Sequence, residues 1–154
     1  MAEAGLEVHV AHASEVSPAT LYRILQLRVD VFVVEQRCAY PDLDERDQEA
    51  HHLVLRLGGH LAGYLRLIPS ADGAGIAIGR VAVGQEHRSR GLARRMMKEA
   101  LARCRRDYPG RAITLAAQTY LAPFYEGLGF RATSEPFDDY GVEHVDMALS
   151  PLKG

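Results

Sequence analysis

A chain of 154 residues, 47% of them hydrophobic, is long enough for one domain whose core needs neither metal nor disulfide staples. Its formal charge of -2, with no long basic tract, argues against a protein whose main work is binding nucleic acid. No run approaches a membrane span, the first residues lack a basic region followed by an apolar core, and Cys38 and Cys104 read as free thiols in a reducing compartment, so a cytoplasmic protein with a single domain over 1–154 is expected.

Leu6, Val8 and Val10 alternate with Glu7, His9 and Ala11, the period of a strand with one buried face. Ser17-Pro18 supplies a helix cap and a proline at the first helical position. Leu21, Ile24, Leu25, Val29 and Phe32 then continue on one helical face. Val29, Val31, Phe32, Val33 and Val34 locally prefer extended structure, so a buried helix end turning into a loop is expected. From Glu35 to Ala50 the chain is acidic, with Glu35, Asp42, Asp44, Glu45, Asp47 and Glu49 against Arg37 and Arg46. With Pro41, this reads as a loop holding at most one short helix. Leu53, Leu55 and Leu57 alternate with His52, Val54 and Arg56, and Gly58-Gly59 makes a tight turn into a strand from 60 to 68.

A second turn at Pro69-Ser70-Ala71-Asp72-Gly73 leads to the small and β-branched residues from Ile76 to Val83, a buried strand. After a polar turn from Gly84 to Arg90, Leu92, Met96, Met97, Ala100, Leu101 and Cys104 recur at helical spacing, with Arg94, Arg95, Lys98, Glu99 and Arg103 on the other face. Tyr108-Pro109-Gly110 stops this helix, and Ala112 to Ala117 is a short apolar strand. Tyr120, Leu121, Phe124, Tyr125 and Leu128 form a helical pattern ending at Gly129. Residues 130 to 137 and 142 to 149, around a turn at 138 to 141, close the chain as a hairpin. The order β-α-β-β-β-α-β-α-β-β predicts an α/β (α+β) domain with a mixed, mostly antiparallel sheet and helices on its faces.

The strand, tight turn and helix from 76 to 106 carry the first chemical signal. Free amides at a helix start, at the positive end of its dipole, suit phosphate oxygens. Arg80, His87, Arg88, Arg90, Arg94 and Arg95 cluster there in a chain that is acidic overall. Arg88-Ser89-Arg90-Gly91-Leu92-Ala93 fits the pattern Q/R-x-x-G-x-G/A and resembles the acyl-CoA loop of the GNAT superfamily of N-acyltransferases. The element order coincides with the GNAT order over almost the whole chain. Phe124-Tyr125-Glu126-Gly127-Leu128-Gly129-Phe130 resembles the F-Y-x-x-x-G-F signature of the same superfamily. The segment from Arg28 to Gln36, then Cys38, Tyr40, Asp44, Asp47 and His52-Leu53, with Ala117-Gln118-Thr119-Tyr120-Leu121, resembles the ElaA-like branch, although Ala39 stands where that branch leads one to expect proline.

The resemblance implies acetyl transfer from acetyl-CoA, as cosubstrate, to a primary amine by direct attack. In that scheme Arg88, Ser89, Arg90, Gly91, Leu92, Ala93 and Arg94 hold the pyrophosphate, and the main chain of Val81, Ala82 and Val83 binds the pantetheine arm as one more strand would. Gln118 takes the place of an asparagine that bonds the same arm in many members. Tyr125 protonates the departing thiolate, for which a phenol is suited because it keeps its proton at neutral pH; its plain alternative is a core aromatic. An amine near pKa 10 must lose a proton before attack. Many members use a glutamate on the fourth strand, whereas this chain has Gly79 and Arg80 there. Glu35 and His52 are the leading candidates for the base, with His51, His144 or a water as others. Glu35 reads first as an ion-pair partner of Arg28 or Arg37, and His52 also as a residue facing solvent or a helix layer. No histidine has metal-ligand spacing with a second ligand, so no metal is implied. The acidic loop reads either as a rim attracting a cationic amine or as a solvated loop. The expected partner is a small-molecule or lysine-like amine, with no nucleic acid and no membrane, and a homodimer is compatible with the pattern. The competing readings are a non-catalytic CoA-binding regulatory module and, more weakly, a nucleic-acid patch made of the arginines.

Overall fold

In the computed structural model, which describes residues 5–149, the alternating start of the chain forms β1 (Leu6–His12), with Leu6, Val8 and Val10 packed on the core and Glu7 and His9 exposed. The outermost residues of the expected 1–154 domain lie outside the described residues. Ser17 caps α1 (Pro18–Arg28) by accepting from the Thr20 amide, and Pro18 sits in the first turn, where no amide is needed. The face that α1 buries is Ile24, Leu27 and Arg28, continued by Val31, and not the stripe through Leu21 and Val29, which are exposed. Arg28 is the reason: its charge is fully paired inside the protein, so a cation occupies the inner face and the apolar stripe turns outward. Nor does α1 dissolve into a loop at the valines. It continues as a π-helical segment over Val29–Glu35, where burial of Val31 overrides the local preference for extended backbone.

The loop that follows holds one short 3-10 turn, Glu45–Gln48. β2 (His51–Leu57) and β3 (His60–Pro69) form the hairpin expected at Gly58-Gly59, whose φ angles of 55° and 84° suit glycine. Next come β4 (Gly75–Val83), α2 (Leu92–Asp107), β5 (Ala112–Gln118) and α3 (Ala122–Glu126). β6 (Arg131–Ala132), β7 (Phe137–Asp139) and β8 (Val142–Leu149) end the described chain. The sheet order is β1-β2-β3-β4-β5-β8-β6, antiparallel except for the β4–β5 pair, with β7 also on β8. The strand expected over 130 to 137 is therefore two pieces on one edge of β8. Between them Pro136 has no amide to give a ladder, and the Ser134 hydroxyl accepts from the Asp146 amide instead.

Both faces of the sheet are covered. Met96, Met97, Ala100, Leu101 and Cys104 of α2 pack on Leu53, Leu55, Leu65, Leu67, Ile76 and Ile78. On the other face Ile24, Leu27 and Val31 pack on Val54, Tyr64 and Ala82. Cys38 and Cys104 are free thiols. No helix among the described residues is long and apolar enough to cross a membrane.

Candidate active site

The two central strands are laced only at one end. Gly75, Ile76 and Ala77 of β4 pair with Ala112, Ile113 and Thr114 of β5, and beyond them the strands part. From Ile78 onward the edge of β4 that faces β5 is therefore without a strand partner, while its other edge stays on β3 through Tyr64↔Ala82 and Gly63↔Val83. The β3–β4 register slips between Tyr64 and Arg66, opposite Arg80, whose φ of 54° marks a bulge that bends β4 away from β5. A wedge opens in the middle of the sheet, lined along its depth by Ile78, Val81, Leu115, Ala117 and Gln118.

At one end of β4 stands the start of α2. The turn after β4 winds through a short 3-10 segment, Gln85–His87, then Ser89 and Gly91 with φ of 65° and 74°. Gly91 precedes the first helical residue in the left-handed conformation, and no side chain caps the helix. The first i→i-4 bond runs from the Arg95 amide to the Gly91 carbonyl at 3.1 Å, which leaves the amides of Leu92, Ala93 and Arg94 without an intrahelical acceptor. Of the loop arginines, Arg88 is anchored: its Nε donates to the Val83 carbonyl at 3.1 Å, and its two terminal nitrogens donate to both oxygens of Glu35 at 2.5 and 2.7 Å.

Tyr125 lines the other side of the wedge. It is 6% exposed, lies on α3, and packs edge-on against Phe124 and Phe130. Burial, with a smaller effect of Tyr120, pushes its phenol up to about 12. Gln118, at the end of β5, borders the same space. Beyond the wedge the cleft is enclosed by Phe32 of the π-helical segment, Gln36 just after it, Cys38 and Tyr40 of the acidic loop, Arg80, and the β7–β8 hairpin through Asp139, Tyr140 and His144. Loop and hairpin touch: Cys38 Sγ lies 3.5 Å from the Tyr140 carbonyl oxygen, and the Tyr40 and Tyr140 rings are 5.7 Å apart.

The structure does not bring the two leading base candidates into this cleft. Glu35 is the salt-bridge partner of Arg88, not of Arg28 or Arg37, and that guanidinium holds its carboxyl below the usual range, which makes it a weak base. His52 is 3% exposed on the α1 side of the sheet. Its Nε2 donates to the Asp47 carbonyl at 2.9 Å, so its Nδ1 accepts from the Tyr64 hydroxyl, and neither nitrogen is left for a substrate. Burial lowers its pKa. His51 is elsewhere, with Nε2 3.1 Å from the Tyr108 hydroxyl.

The acidic loop is also not a free rim. Arg28, fully buried, donates Nε to Asp42 at 2.9 Å, Nη1 to Asp47 at 2.7 Å and Nη2 to the Asp42 carbonyl at 2.6 Å. Arg66 holds Asp44 at 2.8 and 3.0 Å and Asp47 at 2.8 Å, and Arg80 holds Asp42 at 2.9 Å. The Tyr40 hydroxyl donates to Asp42 as well. Three aspartates thus neutralise three arginines from α1, β3 and β4, while Glu45 and Glu49 remain exposed. The hairpin residues Asp139 and Tyr140 were not singled out from the sequence, because a contact across 100 positions leaves no local trace; Tyr40 and Cys38 were visible only through the branch resemblance.

A parted β4–β5 pair, an uncapped glycine-led helix beside it and a tyrosine on the following short helix form a site of GNAT type. The family profile described as an acetyltransferase (GNAT) domain matches residues 20–151, and the chain belongs to that family, in its ElaA-like branch. Protein ElaA of Escherichia coli is 36% identical over 145 residues, 92% of this chain and 95% of ElaA. The crystal structure of that protein superposes with a TM-score of 0.89 at 34% identity, covering 94% of this chain and 99% of ElaA. An acyl-CoA N-acyltransferase from Pseudomonas aeruginosa superposes equally well, with TM-score 0.89, 34% identity and the same coverage. A UPF0039 protein of Schizosaccharomyces pombe is 40% identical over 131 residues, 84% of this chain and 87% of the yeast protein.

Proposed function

We propose that the protein transfers an acetyl group from acetyl-CoA to a primary amine by direct attack of the amine on the thioester. The GNAT fold supports acyl transfer from CoA in general. The observation that carries the specific reading is the wedge, with unused helix amides at one end and a buried phenol at the other. Residues 88 to 94 hold the pyrophosphate on the first-turn amides of α2, where the helix dipole adds to the arginine field. The edge of β4 at Val81, Ala82 and Val83, which has no strand partner on this side although the Val83 carbonyl accepts from Arg88, is faced by Gln118 and takes the pantetheine arm in the place of a missing strand. The thioester then lies in the cleft by Tyr125. As the C–S bond breaks, the thiolate takes the phenolic proton, and burial, which pushes the phenol up to about 12, keeps that proton on the oxygen at pH 7 until the thiolate forms. The amine binds in the part of the cleft bounded by the acidic loop and the β7–β8 hairpin.

Thiol release from acetyl-CoA is the test, measured with spermidine, lysine ethyl ester, phenethylamine and a short peptide with a free N-terminus as acceptors. Release that depends on one of these amines, with the acetylated amine found by mass spectrometry, is the expected result. A second reading, a CoA-binding regulatory module, is favoured by one observation: Arg80 occupies the place where many relatives are expected to carry a glutamate, and it is tied to Asp42. Acetyl-CoA binding with no release under any of the four amines supports the module and overturns the enzyme.

A further inference from the structure

We infer that His144 is the general base of this site, taking the acceptor amine's proton on Nε2. The inference rests on the acyltransferase reading above and adds to it the one proton acceptor it lacks. His144 lies on β8, directly opposite Gln118 of β5, and lines the cleft shared with Tyr125. Its Nδ1 is 2.9 Å from the Val142 carbonyl oxygen. A carbonyl only accepts, so in the neutral ring Nδ1 carries the hydrogen and Nε2 holds the lone pair. No hydrogen bond fills Nε2 among the described residues. The bond from Nδ1 orients the ring, and Phe137, its partner across the β7–β8 ladder, lies beside it with centroids 6.2 Å apart and planes at 25°. A ring whose tautomer is set by the backbone and whose basic nitrogen is unused is what a general base requires.

Elimination among the leading sequence candidates and the acidic-loop carboxylates points the same way. Glu35 is clamped by Arg88, Asp42 and Asp44 by Arg28, Arg66 and Arg80, and both nitrogens of His52 are occupied. The titratable and charged groups that share the cleft with His144 are Cys38 and Tyr40 of the acidic loop, Arg80 of β4, Tyr125 of α3, and Asp139 and Tyr140 of its own hairpin. Arg80 and Tyr40 are committed to Asp42. The neighbour Glu143 projects to the opposite side, where it accepts from the Thr119 hydroxyl at 2.8 Å. In the reaction the amine nitrogen bonds to the acyl carbon while the C–S bond breaks. One N–H proton passes to Nε2 of His144, the thiolate takes the proton of Tyr125, and water carries the proton from imidazolium to phenolate. Amide and free thiol leave, and the protein regains its starting state.

The test uses the full chain with acetyl-CoA and the best acceptor of the four amines. His144→Gln is expected to lower kcat/KM for the amine by roughly 100-fold or more and to remove the acid limb of its pH profile. Acetyl-CoA affinity stays within about twofold, which also reports that the variant folds, and imidazole added to His144→Ala restores at least about tenfold. Nitrogen-15 spectra of the parent protein, which need no acceptor, are expected to show the neutral His144 ring protonated on Nδ1. A parental rate and pH profile in His144→Gln, or a neutral ring protonated on Nε2, overturns the assignment and leaves the acyltransferase standing. A parent protein that binds acetyl-CoA but releases no thiol with any of the four amines overturns both.

Discussion

The proposed reaction gives Tyr125 a chemical task beside its packing one, and substitution can separate the two. Its ring packs against Phe124 and Phe130, and its hydroxyl, raised to about 12 by burial, stays protonated across the working pH range. Tyr125→Phe keeps the ring and removes only the hydroxyl. Turnover with acetyl-CoA and the amine is expected to fall by roughly 100-fold or more, while the acetyl-CoA dissociation constant and the urea midpoint hardly change. An unchanged kcat would remove the phenol from the mechanism. The sequence points to this residue through a local signature, a short helix ended by Gly129 and followed by Phe130. His144 has no such signature. Its tautomer is set two residues away at Val142, but its place in the cleft depends on β8 pairing with β5, which pattern alone does not specify.

The loop between α1 and β2 has no regular ladder to hold it, and six charges do so instead. Arg28 is the centre, with no exposure and three donated bonds, so deletion of its guanidinium leaves Asp42 to Arg80 alone and Asp47 to Arg66 alone, beside an emptied buried site. Burial works against the charge of Arg28, but the hydrogen bond to Asp47 and the nearby carboxylates raise its pKa. Arg28→Ala is expected to cost about 3–5 kcal/mol, read as a lower urea midpoint, in a fold of ordinary stability of roughly 5–15 kcal/mol. The same network sets an acid limit. Burial alone would raise the Asp47 pKa, but hydrogen bonds from Arg28 and Arg66 hold it at about 2 against an ordinary 3.8. A depressed carboxylate contributes stability above its unfolded pKa and loses it as pH falls through the folded one. The share of Asp47, up to about 2 kcal/mol, is therefore complete above pH 4 and lost between about pH 4 and 2. Urea melts across that window are expected to show it, and a flat profile would argue that the network contributes nothing net. The aspartates are plain in the sequence, yet they read as a solvated or substrate-facing rim because their cations lie 14 to 38 positions away on three other elements. The outward stripe of α1 was misread for the same reason: nothing local announces that Arg28 is an inward residue.

At the scale of the molecule the sheet is two parts joined by a short seam. β1 to β4 with α1 and α2 form one, β5 to β8 with α3 the other, and in the sheet they meet through three residue pairs, 75–77 with 112–114. The order of elements along the chain was legible because each carries its own period and stop signals; the gap between β4 and β5 was not, because a bulge at Arg80 is invisible in a run of small apolar residues. A cosubstrate arm that lies in the gap makes the contacts that the two strands do not make with each other, so binding stabilises the native state beyond the loop it touches. At 100 times its dissociation constant, acetyl-CoA is expected to add about 2.7 kcal/mol. For a chain of this length that is a rise in Tm of roughly 5–10 °C. Hydrogen exchange is expected to slow along residues 78–83 of β4 and at the start of α2, and also along residues 115–118 of β5, on the far side of the gap. Gly91→Val tests the loop half of the claim. At φ 74° a β-branched residue is strained although nothing stands within 4 Å of its Cβ, so the start of α2 must shift, at a cost of about 1–2 kcal/mol. The variant is expected to fold, with a slightly lower Tm, and to lose most of the acetyl-CoA-induced rise. Protection confined to residues 88–94, with β5 unchanged, would mean that the arm does not enter the wedge and that the seam alone holds the two parts together.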